Sequence, residues 1–246
     1  MAIATTDLVL FASANTPEND TDTAGGNIDL LRRLDFTQLA ANDDVEAIST
    51  SASDTQSATL TGRSTAGAVV SETKTLTGTT AAIFSVIGVI ERVLKFELAT
   101  AAVGTITVRR SVAGATIRDV PVAERGYELF FYDAASEAAI TNRYQKACYK
   151  NIHATLTLNN AQVALTADPS AVITFALETA KNATTTSANR KTAPAAVSAF
   201  DDAAKSVAGT TLEAGSFIGC WLNMTLAADN APLRSTFTLQ LSGSSV

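Results

Sequence analysis

The chain reads as all-β, as two β-sandwich domains of jelly-roll or immunoglobulin-like kind, and three observations point there. Short runs alternate apolar and polar residues with period two, as in Leu94, Phe96 and Leu98 against Lys95 and Glu97, the spacing of a strand with one buried face. Gly, Ser and Thr turns separate these runs, and no strand–helix alternation suggests a parallel sheet. Of 246 residues, 46% are hydrophobic but only 6% aromatic. Much of the apolar share is Ala, so the interior is expected to consist of small interleaving side chains, while the many Thr and Val suit a pleated surface. At about 150 residues per domain, the length fits one large or two small domains. The punctuation around 111–126 favours two, 1–118 and 119–246.

Taken in order, 5–30 opens with a strand-like run. It loses periodicity at Pro17, the acidic run from Glu18 to Asp22 and the pair Gly25-Gly26, which predicts an extended N-terminal arm or exposed loop. IDLLRRLDF and VEAIS read as strands. The stretch 57–77 reads as a β-hairpin. A four-residue turn from Ser64 to Gly67 would set Arg63 opposite Ala68 and Leu60 opposite Ser71. Ala58, Leu60, Gly62, Val69, Ser71 and Thr73 then face inward; Thr59, Thr61, Arg63, Val70, Glu72 and Lys74 face outward. That inner face is poor in apolar mass, so the hairpin must lean on further strands, which 93–98 and 105–108 supply. Gly114, Pro121 and Gly126 mark 111–126 as a linker.

The second half begins with an aromatic cluster, Tyr127, Phe130, Phe131 and Tyr132, followed by Tyr144 and Tyr149. These serve either as core of an otherwise small-residue sandwich or as a binding surface, and core packing is the expectation. Leu156 and Leu158, then Val163 and Leu165, read as two strands joined by a tight turn at Asn159-Asn160; Ile173, Phe175 and Leu177 make the next. The stretch 181–207 breaks the pattern, as a short helix near 194–204 or a functional surface loop. In 217–226 both faces carry apolar residues, which predicts a central strand with Trp221 packed under a loop or against a partner. Phe237, Leu239 and Leu241 form the last strand.

The chemistry-bearing residues are few. A net charge of −6 and a pI near 4.8 speak against nucleic acid as the main partner. The nearest basic patch, Arg109, Arg110 and Arg118, reads as a rim or as ion-pair partners. The N-terminus lacks the charged and apolar regions of a signal peptide, and the apolar run 81–90 is far short of the ~20 residues of a membrane span. A soluble protein made in the cytoplasm is expected. Cys148 and Cys220 are then expected as buried or partly buried free thiols. His153 has no second imidazole with which to bind metal or relay protons. Asp20 and Asp22 lack the ligand spacing of a calcium loop. Asp43-Asp44 and Asp201-Asp202 sit in polar loops, where carboxylates are usually solvated, although a glycosidase needs only two at the right separation. No catalytic, cofactor-binding or metal-binding residue is assigned, and no cofactor is expected.

The stretches FASANTPENDTDTAGGNIDL, SATLTGRSTAGAVVSETKTLTGTT and GTITVRR, with YELFFYDAASEAAITNRYQKACYKNIHATLTL and TFTLQLSGSSV from the second half, resemble structural proteins encoded by tailed bacteriophages. The likeness spans nearly the whole chain. It implies a non-enzymatic virion protein, foremost a capsid cement or decoration subunit. Such a subunit would bind the exterior of the major capsid protein lattice and copies of itself, a trimer being one form, with no nucleic-acid or membrane partner. It would be made in the host cytoplasm. A neck, tail or fibre component is the alternative the same resemblance allows. A receptor- or carbohydrate-binding module using Trp221 or the 127–132 aromatics is the alternative from another class.

Overall fold

The computed structural model describes residues 2–34, 37–128, 138–229 and 236–245, and it is all-β. In chain order the strands are β1 (Leu8–Asn15), β2 (Ala24–Leu34), β3 (Val45–Ser49), β4 (Ser57–Ser64), β5 (Val69–Thr75), β6 (Ala82–Ile83), β7 (Ile90–Leu98), β8 (Ile106–Arg110) and β9 (Thr116–Val120). There follow β10 (Gly126–Glu128), β11 (Thr141–Asn151), β12 (Leu158–Ala167), β13 (Ile173–Leu177), β14 (Thr186–Ser187), β15 (Lys205–Ser206), β16 (Thr211–Leu212), β17 (Phe217–Leu226) and β18 (Thr238–Ser244). No helix among the described residues is long and apolar enough to cross a membrane.

The chain divides into two compact units, but not at the expected place. Leu30–Tyr132 forms an inserted unit, and Met1–Asp29 joins Asp133–Val246 in a discontinuous one. A cut at 118/119 would fall inside β9, which pairs with β8 from Ile106↔Val120 to Arg109↔Thr116. The segment 111–126 is therefore the β8–β9 turn, β9 itself and the approach to β10, and not a linker. Nor do the described residues form an extended N-terminal arm. β1 pairs antiparallel with β11, Leu8 opposite Asn151 and Ala12 opposite Ala147, which ties the first residues to the C-terminal half. Only 16–23 remains as loop, because Gly25-Gly26 lies within β2.

The inserted unit is a sandwich. One sheet runs β10-β7-β4-β5 and the other β6-β3-β8-β9, and a single apolar cluster draws Leu60, Phe96 and Leu98 from the first and Val45, Ile106, Val108 and Val120 from the second. Phe96 and Leu98 face this core as the alternation in 93–98 predicts, but an irregularity in the pairing, Thr61 opposite Lys95 and then Gly62 opposite Val93, puts Val93 in the cluster in place of Leu94. The hairpin register differs by one residue: Arg63 lies opposite Val69 and Leu60 opposite Glu72. Its loop is Thr65–Ala66–Gly67, with Gly67 at φ 85° and the Ser64 amide donating to the Ala68 carbonyl. A three-residue loop ending in a left-handed glycine supplies this geometry. Because side chains alternate, the slip turns β5 over: Val69 is 54% exposed, whereas Val70, Glu72 and Lys74 point to the core side. Glu72 accepts from the amides of Val86 and Ile87, and Lys74 Nζ donates to the Ile83 carbonyl. β5 is the end strand of its sheet, where inward charges discourage pairing with another chain.

In the discontinuous unit, one sheet runs β13-β17-β11-β1-β2, with β14 on β2, and the second sets β12 between β15/β16 and β18. β17 lies between β13 and β11, and its residues 217–223 are all buried, as a central strand with two apolar faces should be. The proposed tight turn at Asn159-Asn160 is instead a bulge inside the continuous β12, with Asn160 at φ 49° and a register shift between Asn159 and Gln162. The stretch 194–204 is not helical. It runs back beside β13, where the Ser198 amide donates to the Leu177 carbonyl and Asp201 bridges Phe175.

Candidate functional site

The residues singled out in the sequence are dispersed into separate structural tasks. Arg110 pairs with Asp43, Arg109 Nε donates to Glu46 at 2.7 Å, and buried Arg118 reaches the Thr37 and Val93 carbonyls, so the three arginines make no common patch. Lys205 pairs with Asp201 and stands 5.0 Å from the centre of the Phe175 ring. Hydrogen bonds from Arg110 and Lys205 hold the Asp43 and Asp201 carboxyls below the ordinary range. His153 Nδ1 accepts from the amides of Thr155 and Leu156 at 3.1 and 3.0 Å, closing a turn. Asp20 receives Arg190 at 2.6 Å and Lys191 at 2.7 Å, with Arg143 at 3.6 Å, fastening the 16–23 loop to the 188–192 segment. Among the described residues no three His, Cys, Asp or Glu side chains are grouped to hold a metal ion.

Both thiols are free and buried. Cys148 lies opposite Gly219 and Cys220 opposite Ala147. Directly opposed residues share a face and neighbours alternate, so the two sulfurs leave opposite faces of the sheet and do not meet. Burial pushes the Cys148 thiol up to about 12 and raises that of Cys220 as well. Trp221 is 0% exposed, which removes it as a platform for sugar. Tyr127 belongs to the inserted unit's core, and the Tyr149 hydroxyl donates to the Leu239 carbonyl at 2.8 Å. Tyr144 meets Phe200 edge-on. Phe130, Phe131 and Tyr132 lie outside the described residues.

Two features had no signal in the sequence. The first is an ion pair with no exposure on either side: Lys146 on β11 and Glu178 at the end of β13, 2.6 Å apart. Lys146 Nζ also donates to the carbonyls of Gly26 at 2.7 Å and Ala183 at 3.0 Å, so each ammonium hydrogen has an acceptor. Glu178 Oε2 and Trp221 Nε1, by contrast, are buried without a partner. The pair reaches across β17 because Gly219 has no side chain there; a Cβ would lie 2.1 Å from Glu178 Oε2. Gly25, at φ 84°, is needed equally: a Cβ would come within 2.4 Å of the Trp221 ring. The glycine pair that reads as a breaker in the sequence thus packs against Trp221 through Gly25 and supplies the Gly26 carbonyl to Lys146.

The second feature is a set of exposed valines at one end of the inserted unit. Asp43 and Ile90 exchange backbone hydrogen bonds, Ser111 donates to Asp44 and Phe84 to Val45, which brings the 41–44, 84–89 and 111–115 loops together. Val86 is 84% and Val112 88% exposed, with Val89 also open to solvent. Beneath them Glu46 binds the Val112 and Ala113 amides at 3.1 Å, so the loop is held while its side chain stays outside. No family model, curated protein or solved structure matches this chain.

Proposed function

We propose that the protein is a non-enzymatic structural component of a tailed-phage virion, a cement or decoration subunit on the outer surface of the major capsid protein lattice. The observation that carries this reading is the valine-bearing end of the inserted unit. Large apolar side chains held in water on anchored loops lose contact area that a partner surface would restore, and loops positioned by a rigid scaffold are where binding usually resides. The resemblance to virion structural proteins supplies the partner. A shell-stabilising subunit needs shallow complementary contacts repeated over many copies, and two β units with firmly tied loops suit that task.

The test is reconstitution. Purified protein is expected to co-sediment with assembled shells that lack it and to raise their resistance to heat, and a Val86→Ser/Val112→Ser double variant is expected to bind at least tenfold more weakly. Absence of binding by the wild-type chain refutes the cement role. Labelling that places the protein at a single vertex assigns it to the neck, tail or fibre instead.

A further inference from the structure

We propose that Lys146 and Glu178 condense to an intramolecular amide, a covalent staple from β11 to the end of β13 across β17. This inference is independent of the virion reading. Nζ and the carboxylate are in contact at 2.6 Å, and neither side chain has any exposure. Two reacting groups fixed in this way have an effective concentration on the order of 10⁵ M or more, and a site without bulk water favours a condensation that releases water.

The ionic form is also poorly compensated. Glu178 Oε2 has no donor, so part of the carboxylate charge lies buried and unneutralised, whereas an amide oxygen carries far less charge. The step balances without any further reactant. A proton passes from Nζ to Oε1 along the hydrogen bond, and the freed lone pair attacks Cδ. Oε1 then takes a second proton from nitrogen and leaves as water. One N–H remains for the Gly26 or Ala183 carbonyl, both within 3.0 Å of Nζ. Gly219 lets the two side chains meet, since a Cβ there would stand 2.7 Å from Lys146 Cε as well as against the carboxylate.

Mass spectrometry of the intact full-length chain, denatured after folding, decides the matter. The expected mass is below the sequence mass by one water, after allowing for the initiator methionine, and a digest is expected to yield a branched peptide joining Lys146 to Glu178. Lys146→Arg, which keeps the charge but not the reactive amine, is expected to return to its full sequence mass. A wild-type chain at full sequence mass, or a water loss mapped to any other pair, overturns the proposal. The wild-type measurement stands even if the variant does not fold.

Discussion

The two units keep their interiors in opposite ways. The inserted unit fills the space between its sheets with Leu60, Phe84, Phe96, Ile106 and Val120 and ties its loops with carboxylates such as Asp54. That side chain takes the amides of Val103 and Gly104 at 2.8 Å, the Ser49 hydroxyl at 2.5 Å and the Gln56 amide at 3.1 Å. The discontinuous unit sets two directly paired polar side chains, Lys146 and Glu178, into its interior, with Lys146 opposite Trp221. Apolar packing tolerates substitution in proportion to the volume lost, whereas a buried pair fails sharply when one member is removed. The difference lies in how each interior breaks, more than in how strongly it holds.

The largest effects should therefore come from the cores. Phe96→Ala is expected to cost the inserted unit about 3–5 kcal/mol, measured by denaturant unfolding. Lys146→Met or Glu178→Leu should each cost the discontinuous unit ~3–5 kcal/mol by stranding the partner, and the double variant should cost clearly less than the sum. Additive losses at Lys146 and Glu178 would erase the contrast between the units.

Acid should separate the loop fastenings next. Burial opposes the charge on Asp54, but its four hydrogen bonds prevail and hold its carboxyl below the ordinary range. Burial likewise opposes the charge on Asp20, and Lys191, Arg190 and Arg143 overcome it, bringing its carboxyl to about 2. A folded value below the unfolded one, roughly 3.9 for Asp, contributes stability above that value and loses it as pH falls through the folded one. Hydrogen exchange is expected to show the 16–23 loop loosening between pH 4 and 2, and Asp54→Asn should flatten the acid response of the 49–54 and 103–104 loops at a cost of about 1–3 kcal/mol. At the small end, Val86→Ser and Val112→Ser should change stability by no more than ~0.5 kcal/mol. Cys148 and Cys220 should resist alkylation until the chain is unfolded, because buried, protonated thiols are poor nucleophiles.

The contrast also explains what could be read in advance. β7 was legible because Phe96 and Leu98 alternate with Lys95 and Glu97 against one core, and β17 because both its faces are apolar. The β4–β5 pairing was legible as a hairpin, but its register turned on whether Ser64 or Thr65 opened the loop, a choice made by Gly67 adopting a positive φ. Gly25-Gly26 carries the pattern of a break, and only the approach of Trp221 reveals why glycine stands there. The discontinuous unit could not be read from local pattern, since its first strand finds its partner in β11. The Lys146–Glu178 pair has no periodic signature: Lys146 stands between Gln145 and Ala147 and Glu178 between Leu177 and Thr179, and only the register through Gly219 brings them together. The exposed valines were hidden for the opposite reason, because in sequence a loop valine looks like a core valine.

The assembly claim rests most directly on one comparison, the heat resistance of shells lacking the protein before and after it is added back. The wild-type chain is expected to bind and raise that resistance, while the Val86→Ser/Val112→Ser variant, folded to the same stability, does so weakly. Shells whose resistance is unchanged by a wild-type chain that does not bind them would contradict the claim.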